Sequence, residues 1–191
     1  MNQEHERLTR ILDDHRKMTD AMPALSSVLA QAVDWIVEAI GHGNKVVAMG
    51  NGGSAADAQH LVAELVGRFM LERRGLPAIA LPTNAATMTS VANDYGYAAV
   101  FARQVEAVVC PGDVVIAFST SGKSQNVLAA ISAAKLKNAR TIGMTGADGG
   151  KMKDDVDLCL CVPATQTPRI QEGHVILLHA LCEAVEVRAS S

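Results

Sequence analysis

The chain has 191 residues, 49% of them hydrophobic but only 3% aromatic, and a formal net charge of −3 from 17 Lys and Arg against 20 Asp and Glu. A domain of this length buries on the order of 70% of its unfolded surface, which excludes a disordered chain and removes any need for disulfide staples. The few aromatic rings (Trp35, Tyr95, Tyr97, Phe69, Phe101 and Phe118) and the lack of any long basic stretch exclude a base-stacking platform and a phosphate-backbone footprint, so no nucleic-acid partner is expected.

The opening residues Met1-Asn2-Gln3-Glu4-His5-Glu6-Arg7 lack the basic-then-apolar pattern of a signal peptide, and no unbroken apolar run approaches the roughly 20 residues that span a bilayer. The expectation is a cytoplasmic protein without a membrane partner. Two amphipathic helices are predicted over 6–19 and 24–41. The second carries Leu25, Val28, Leu29, Ala32, Val33, Ile36 and Ile40 at helical spacing before Gly41 and Gly43 stop it. From Lys45 onward the pattern changes. Short apolar runs at 46–49, 78–81, 114–118, 141–144 and 158–162 alternate with helical stretches at 54–70, 98–109, 124–137 and 170–187. Strands apolar throughout and interleaved with helices predict a parallel sheet covered on both faces. The fold class is therefore α/β: a three-layer αβα sandwich with a five-stranded parallel sheet, one domain over 1–191 in which 1–43 form an N-terminal helical pair. Ligands in such folds lie beyond the carboxyl ends of the strands.

The last helix is apolar nearly all the way round, from Ile170 through Leu177, Leu178, Leu181 and Val185, which predicts a homo-oligomer built on it and on the N-terminal pair. The four cysteines, Cys110, Cys159, Cys161 and Cys182, include no CxxC and read as reduced core residues.

Two strand-to-helix loops carry chemistry. Gly50-Asn51-Gly52-Gly53-Ser54-Ala55 can bring main-chain N–H groups and a helix N-terminus to an anion. It fits the spacing of a dinucleotide fingerprint, but the next strand ends Leu81-Pro82-Thr83-Asn84, with no acidic residue for a ribose. Ser119-Thr120-Ser121-Gly122-Lys123-Ser124 offers hydroxyls and a second helix N-terminus. Its Gly-Lys-Ser ending imitates a nucleotide-binding loop, yet the required first glycine is Ala117. Each loop alone is a common turn, but two anion cradles on neighbouring strands point to a phosphorylated ligand.

His60 and Glu64 stand i, i+4 on one helix face, a spacing that suits Zn²⁺ and, for a lone pair, more often marks a solvated surface pair. The last helix holds Gln171, His174 and His179 among apolar neighbours, where polar groups are costly unless used. Gln171 and His179 are separated by about 12 Å along the helix axis and about 80° around it, so they meet one metal only by leaning together or from different chains.

Five stretches taken together, Gly50-Asn-Gly-Gly-Ser-Ala-Ala-Asp-Ala-Gln-His60, Ala92-Asn-Asp-Tyr-Gly-Tyr97, Phe118-Ser-Thr-Ser-Gly-Lys-Ser124, Thr145-Gly-Ala-Asp-Gly-Gly-Lys151 and Pro168-Arg-Ile-Gln-Glu-Gly-His174, resemble the phosphoheptose isomerases of the sugar isomerase (SIS) domain superfamily. The resemblance runs from about residue 5 to 187. It implies interconversion of sedoheptulose 7-phosphate and D-glycero-D-manno-heptose 7-phosphate through an enediol, the first step of nucleotide-activated heptose synthesis for lipopolysaccharide or capsule. It implies one Zn²⁺ per subunit on His60, Glu64, Gln171 and His179, with Glu64 and His179 as the acid/base pair. Substrate contacts are implied for Asn51, Gly52, Gly53, Glu64, Asn93, Asp94, Ser119, Thr120, Ser121, Ser124 and Gln171, in a homotetramer with sites at subunit contacts. One stretch departs from the family: Pro82-Thr83-Asn84-Ala85-Ala86-Thr87 stands where a Ser/Thr-rich segment with an Asp is usual. The alternative reading is a non-catalytic SIS-domain regulator that binds a protein partner or senses a sugar phosphate, which the presence of all four metal-site residues opposes.

Overall fold

In a computed structural model, which describes residues 2–189, the five apolar runs become five strands: β1 (Val46–Met49), β2 (Ala78–Ala80), β3 (Val114–Phe118), β4 (Arg140–Thr145) and β5 (Leu158–Cys161). Met1, Ser190 and Ser191, the outermost positions of the expected domain, lie outside the described residues. The helices are α1 (Gln3–Ala21), α2 (Ser26–Gly41), α3 (Gly53–Val66), α4 (Ala85–Tyr95), α5 (Ala102–Val108), α6 (Gln125–Leu136), α7 (Met152–Asp155) and α8 (Thr167–Ala189). Every strand pair is parallel and the order is β2-β1-β3-β4-β5, with Val46 opposite Val114 and Ile116 opposite Ile142. β1 and β3 are buried at every residue, as strands covered on both faces must be. Their alternate side chains feed two cores. Val46, Ala48, Ile116 and Phe118 pack with α2, α3 and α8; Val47, Met49, Val115 and Ala117 pack with residues of α5, α6 and α7.

The strand order reverses between β1 and β3. That is the switch point at which open α/β sheets bind ligands, and the loops on its two sides are those at 50–53 and 119–124.

The Asn2 side chain accepts from the Glu4 N–H and so starts α1. The one-turn Met22–Leu25 segment, with Pro23 in its first turn, separates α1 from α2. By composition an 18-residue window within Gln3–Gly41 reaches a mean hydropathy of 1.3, enough for a membrane span, which the count of unbroken apolar runs did not anticipate. The fold divides that stretch into two helices and turns Ala32, Val33, Ile36, Ala39 and Ile40 of α2 into the core.

Four elements differ from the sequence expectation, among them the short α7, which was not expected at all. α4 occupies a stretch for which no element was expected: none of its residues is fully buried, Met88, Val91 and Ala92 lean on the second core, and the Asn84 side chain starts it by accepting from the Thr87 N–H at 3.0 Å. α3 stops at Val66 instead of running to 70, because Gly67 ends it and the chain beyond turns its N–H groups to Glu186. The stretch expected as one helix over 98–109 is a one-turn Tyr97–Ala99 segment followed by the shorter α5.

α8 lies against α1, α2 and α3, and buries Ile170, Leu177, Leu178, Leu181, Cys182 and Val185 within the single chain. One side of its all-round apolar sequence is thus covered inside the subunit, while Val187 and Ala180 stay exposed. The four cysteines are free. Burial, reinforced at Cys159 by neighbouring Cys161, pushes the Cys159 and Cys182 thiols up to about 12, so both stay protonated. Cys110 is exposed and not in the core.

Candidate active site

The loop after β1 is shaped by its glycines. Gly52 has φ +56°, a left-handed conformation that favours glycine, and a Cβ built on Gly53 would overlap the Gln171 carboxamide. No side chain caps α3 or α6, so both helices open with their first turns available to an anion. In the loop before α6, the Ser119 and Ser124 hydroxyls are 3.1 Å apart and the Lys123 N–H donates to Ser121 Oγ. Beyond the ends of β3, β4 and β5 lies a cavity of about 280 Å³ lined by Thr120, Ser121, Lys123, Asp148, Thr165 and Thr167 among others. Thr165 and Thr167 were not singled out from the sequence. The signal was there: Thr165-Gln166-Thr167 follows β5 as the hydroxyl-rich loop follows β3.

The two loops are joined across the switch point. Asn51 Nδ2 donates to Asn126 Oδ1 at 2.9 Å and Asn126 Nδ2 donates back to Asn51 Oδ1 at 2.8 Å, while the Tyr97 hydroxyl donates to the same Asn51 oxygen at 2.9 Å. Asn126 is buried and its Oδ1 also accepts the Val127 N–H. The Asn51 side chain is therefore engaged within the protein, and its main chain is what remains for a ligand. Asn93 and Asp94 are exposed near the end of α4, where Asn93 donates to Asp94 at 2.8 Å. Tyr97 tethers this segment to the first loop.

α3 and α8 bring the metal-type residues together. His60 Nε2 lies 3.2 Å from Glu64 Oε1 and 3.2 Å from His179 Nε2, and one ligand atom from each of the three residues falls within 4.8 Å of the others. The two imidazoles meet edge to face with centroids 4.9 Å apart, and Phe69 tilts against His179 at 5.5 Å. All three donors are half-buried. Two nitrogens and a carboxylate oxygen suit Zn²⁺, whose tetrahedral ligands at roughly 2.0–2.2 Å stand about 3.3–3.5 Å apart, close to the spacing of these donors. Gln171, two turns before His179 on the same helix, packs its carboxamide against Gly53.

His174 is fully buried, its Nδ1 is 3.6 Å from Asp57 Oδ2, and its ring packs against Phe118. It supports the α3–α8 contact from below. His15 Nδ1 meets Glu172 Oε2 at 2.8 Å and links α1 to α8, while His5 and His42 are exposed.

Comparison with known proteins agrees with this geometry. The SIS domain family model matches residues 12–146. A phosphoheptose isomerase of Geotalea daltonii is 50% identical over 184 residues, 96% of each chain. Among solved structures, a phosphoheptose isomerase from Neisseria gonorrhoeae superposes with a TM-score of 0.91 at 38% identity, covering 96% of this chain and 98% of the other. One from Francisella tularensis also gives 0.91, at 33% identity, covering 98% and 100%.

Proposed function

Because the chain belongs to the SIS-domain family and, within it, to the phosphoheptose isomerases, we propose that it is an aldose–ketose isomerase converting sedoheptulose 7-phosphate into D-glycero-D-manno-heptose 7-phosphate. The observation that carries the site assignment is the meeting of His60, Glu64 and His179 where α3 packs on α8.

In this reading the phosphate sits on the α6 N-terminus among the hydroxyls of Ser119, Thr120, Ser121 and Ser124. Asn51, Gly52 and Gly53 through their main chain, with Asn93, Asp94 and Gln171 through side chains, hold sugar hydroxyls. The Glu64 carboxylate takes a proton from C1 of the ketose. The C–H electron pair becomes the C1–C2 double bond as the C2 carbonyl oxygen receives a proton from His179. Collapse of the enediol returns the O1 proton to His179, forms the C1 carbonyl, and places the proton carried by Glu64 on C2. Glu64 faces His60 with Oε1, which leaves Oε2 for the proton.

One Zn²⁺ per subunit would be held by His60, Glu64 and His179, with Gln171 as the fourth ligand. A bound zinc would act as a Lewis acid that polarises the carbonyl and steadies the developing negative charge. In this reading the protein works in the cytoplasm as a homotetramer with its sites at subunit contacts. Exposed Leu8, Ile11 and Leu12 on α1 supply an apolar face for that assembly. The meeting of His60, Glu64 and His179 supports the enzyme over the regulator reading.

Glu64→Gln and His179→Gln are each expected to lower kcat at least about 100-fold with the circular dichroism of the wild type, since a well-placed general acid or base contributes roughly 10²–10⁴-fold. Retention of more than about a tenth of wild-type kcat by either removes its acid/base role. Metal analysis is expected to find near-stoichiometric zinc; its absence, with activity indifferent to chelator, removes the metal and leaves the isomerase.

A further inference from the structure

Behind the metal-type cluster lies an ion pair that the chemistry above does not use. Glu186 and Arg73 side chains are 1% and 4% exposed, with Arg73 Nε 3.0 Å from Glu186 Oε1. Glu186, on α8 two turns beyond His179, accepts the main-chain N–H groups of Phe69, Met70 and Leu71 at 2.8, 2.6 and 2.8 Å. Burial alone would raise the Glu186 carboxyl, but those N–H groups and the Arg73 charge outweigh it and hold it below the ordinary carboxylate range. Arg73 donates to the carbonyl oxygens of Glu64, Leu65, Gly67 and Arg74. It thus closes the carboxyl end of α3, including the turn that carries Glu64.

A buried pair of this kind is a poor source of stability, because desolvating both charges offsets most of their attraction and apolar residues of equal volume commonly do as well. What it supplies here is geometry. The three N–H bonds to Glu186 pin the segment after Gly67, and the ring of Phe69 within that segment rests on the His179 imidazole at 5.5 Å.

We propose that Arg73 and Glu186 are positioning residues for the acid/base pair: through the pinned 69–71 segment they seat Phe69 as a wall on His179, and through the Glu64 carbonyl they fix the last turn of α3. The proposal rests on the isomerase reading, and it extends that site to residues that touch neither substrate nor metal donors.

Phe69→Leu leaves the ion pair intact and tests the wall directly. It is expected to keep the wild-type melting temperature within a few degrees and to lower kcat about 10-fold with KM changed less than about threefold, because a misplaced proton-transfer group slows the transition state without weakening ground-state binding. Glu186→Gln is expected to lower kcat at least as far with the same split, and Phe69→Leu/Glu186→Gln to be no worse than Glu186→Gln, since both act through one contact. Wild-type kcat in Phe69→Leu overturns the proposal, whether or not Glu186→Gln folds. Effects of the two substitutions that multiply, or that fall on KM or melting temperature alone, overturn it as well. Wild-type enzyme run in parallel separates the two levels: no turnover of sedoheptulose 7-phosphate refutes the isomerase reading and the positioning proposal with it, whereas normal wild-type turnover with an unaffected Phe69→Leu refutes the positioning proposal alone.

Discussion

Asn126 has no counterpart among the residues singled out from sequence, yet its carboxamide is the joint between the two loops that face the switch point. Replacing it by Ala leaves Asn51 Nδ2 without this acceptor and removes one of the two donors to Asn51 Oδ1, and each lost hydrogen bond costs about 0.5–1.5 kcal/mol. Asn126→Ala is therefore expected to lower the urea midpoint and to raise KM for the sugar phosphate more than it lowers kcat, which steady-state kinetics and urea unfolding check. His60 and Glu64 stand out by their helical spacing, but spacing alone favours a surface pair, and it is the family resemblance that joins them to His179. Asn126, Thr165, Thr167, Phe69 and Glu186 do not stand out, because their roles depend on which loop meets which, and no local spacing records that. Gln171 shows the boundary. Its distance from His179 along α8 follows from helical rise alone, but its packing against Gly53 needed the fold.

The strands were legible one by one, since a sheet covered on both faces demands unbroken apolar runs, and 46–49 and 114–118 have them. α4 was missed for the complementary reason: its apolar residues Met88, Val91 and Ala92 are only partly buried and stand among Ala, Thr, Ser and Asn, a stripe too short to stand out. Sheet registry adds a device at the end remote from the site. Asp113, just before β3, accepts the N–H groups of Lys45 and Cys110 and pairs with Lys45 Nζ at 2.6 Å, so it ties the starts of β1 and β3 together. Burial pushes its carboxyl up, but the Cys110 N–H and the Lys45 side chain, N–H and charge more than reverse this, and the net value is lowered. Since the folded value lies below the unfolded one, acidification protonates the unfolded chain first. The stabilisation is complete above the ordinary aspartate range and is lost as pH falls through the folded value. Asp113→Asn is accordingly expected to unfold at lower urea than wild type at pH 7, with the gap narrowing steadily at pH values below about 4. A gap independent of pH would show that the charge of Asp113 is not what holds the strand starts.

At the scale of the whole molecule, part of the apolar circumference of α8 is buried within one chain, between α1, α2, α3 and the sheet, while Val187 remains 53% exposed. Apolar residues are also exposed on α1, with Leu8 51% and Leu12 69% exposed. If α1 packs between subunits, Leu8→Glu/Leu12→Glu is expected to shift the light-scattering mass from tetramer to a smaller species; an unchanged tetramer assigns the contact to another face. The low aromatic content noted at the outset also finds its place, because a site built from Gly, Ser, Thr, Asn and helix N-termini grips phosphate and hydroxyl groups without stacking. The central claim is the reaction itself. Incubation of the wild-type protein at micromolar concentration with sedoheptulose 7-phosphate in D₂O, followed by NMR, is predicted to give D-glycero-D-manno-heptose 7-phosphate, with deuterium at C2 only in those turnovers in which the proton on Glu64 exchanges with solvent before its return. Recovery of the ketose unchanged would contradict the account.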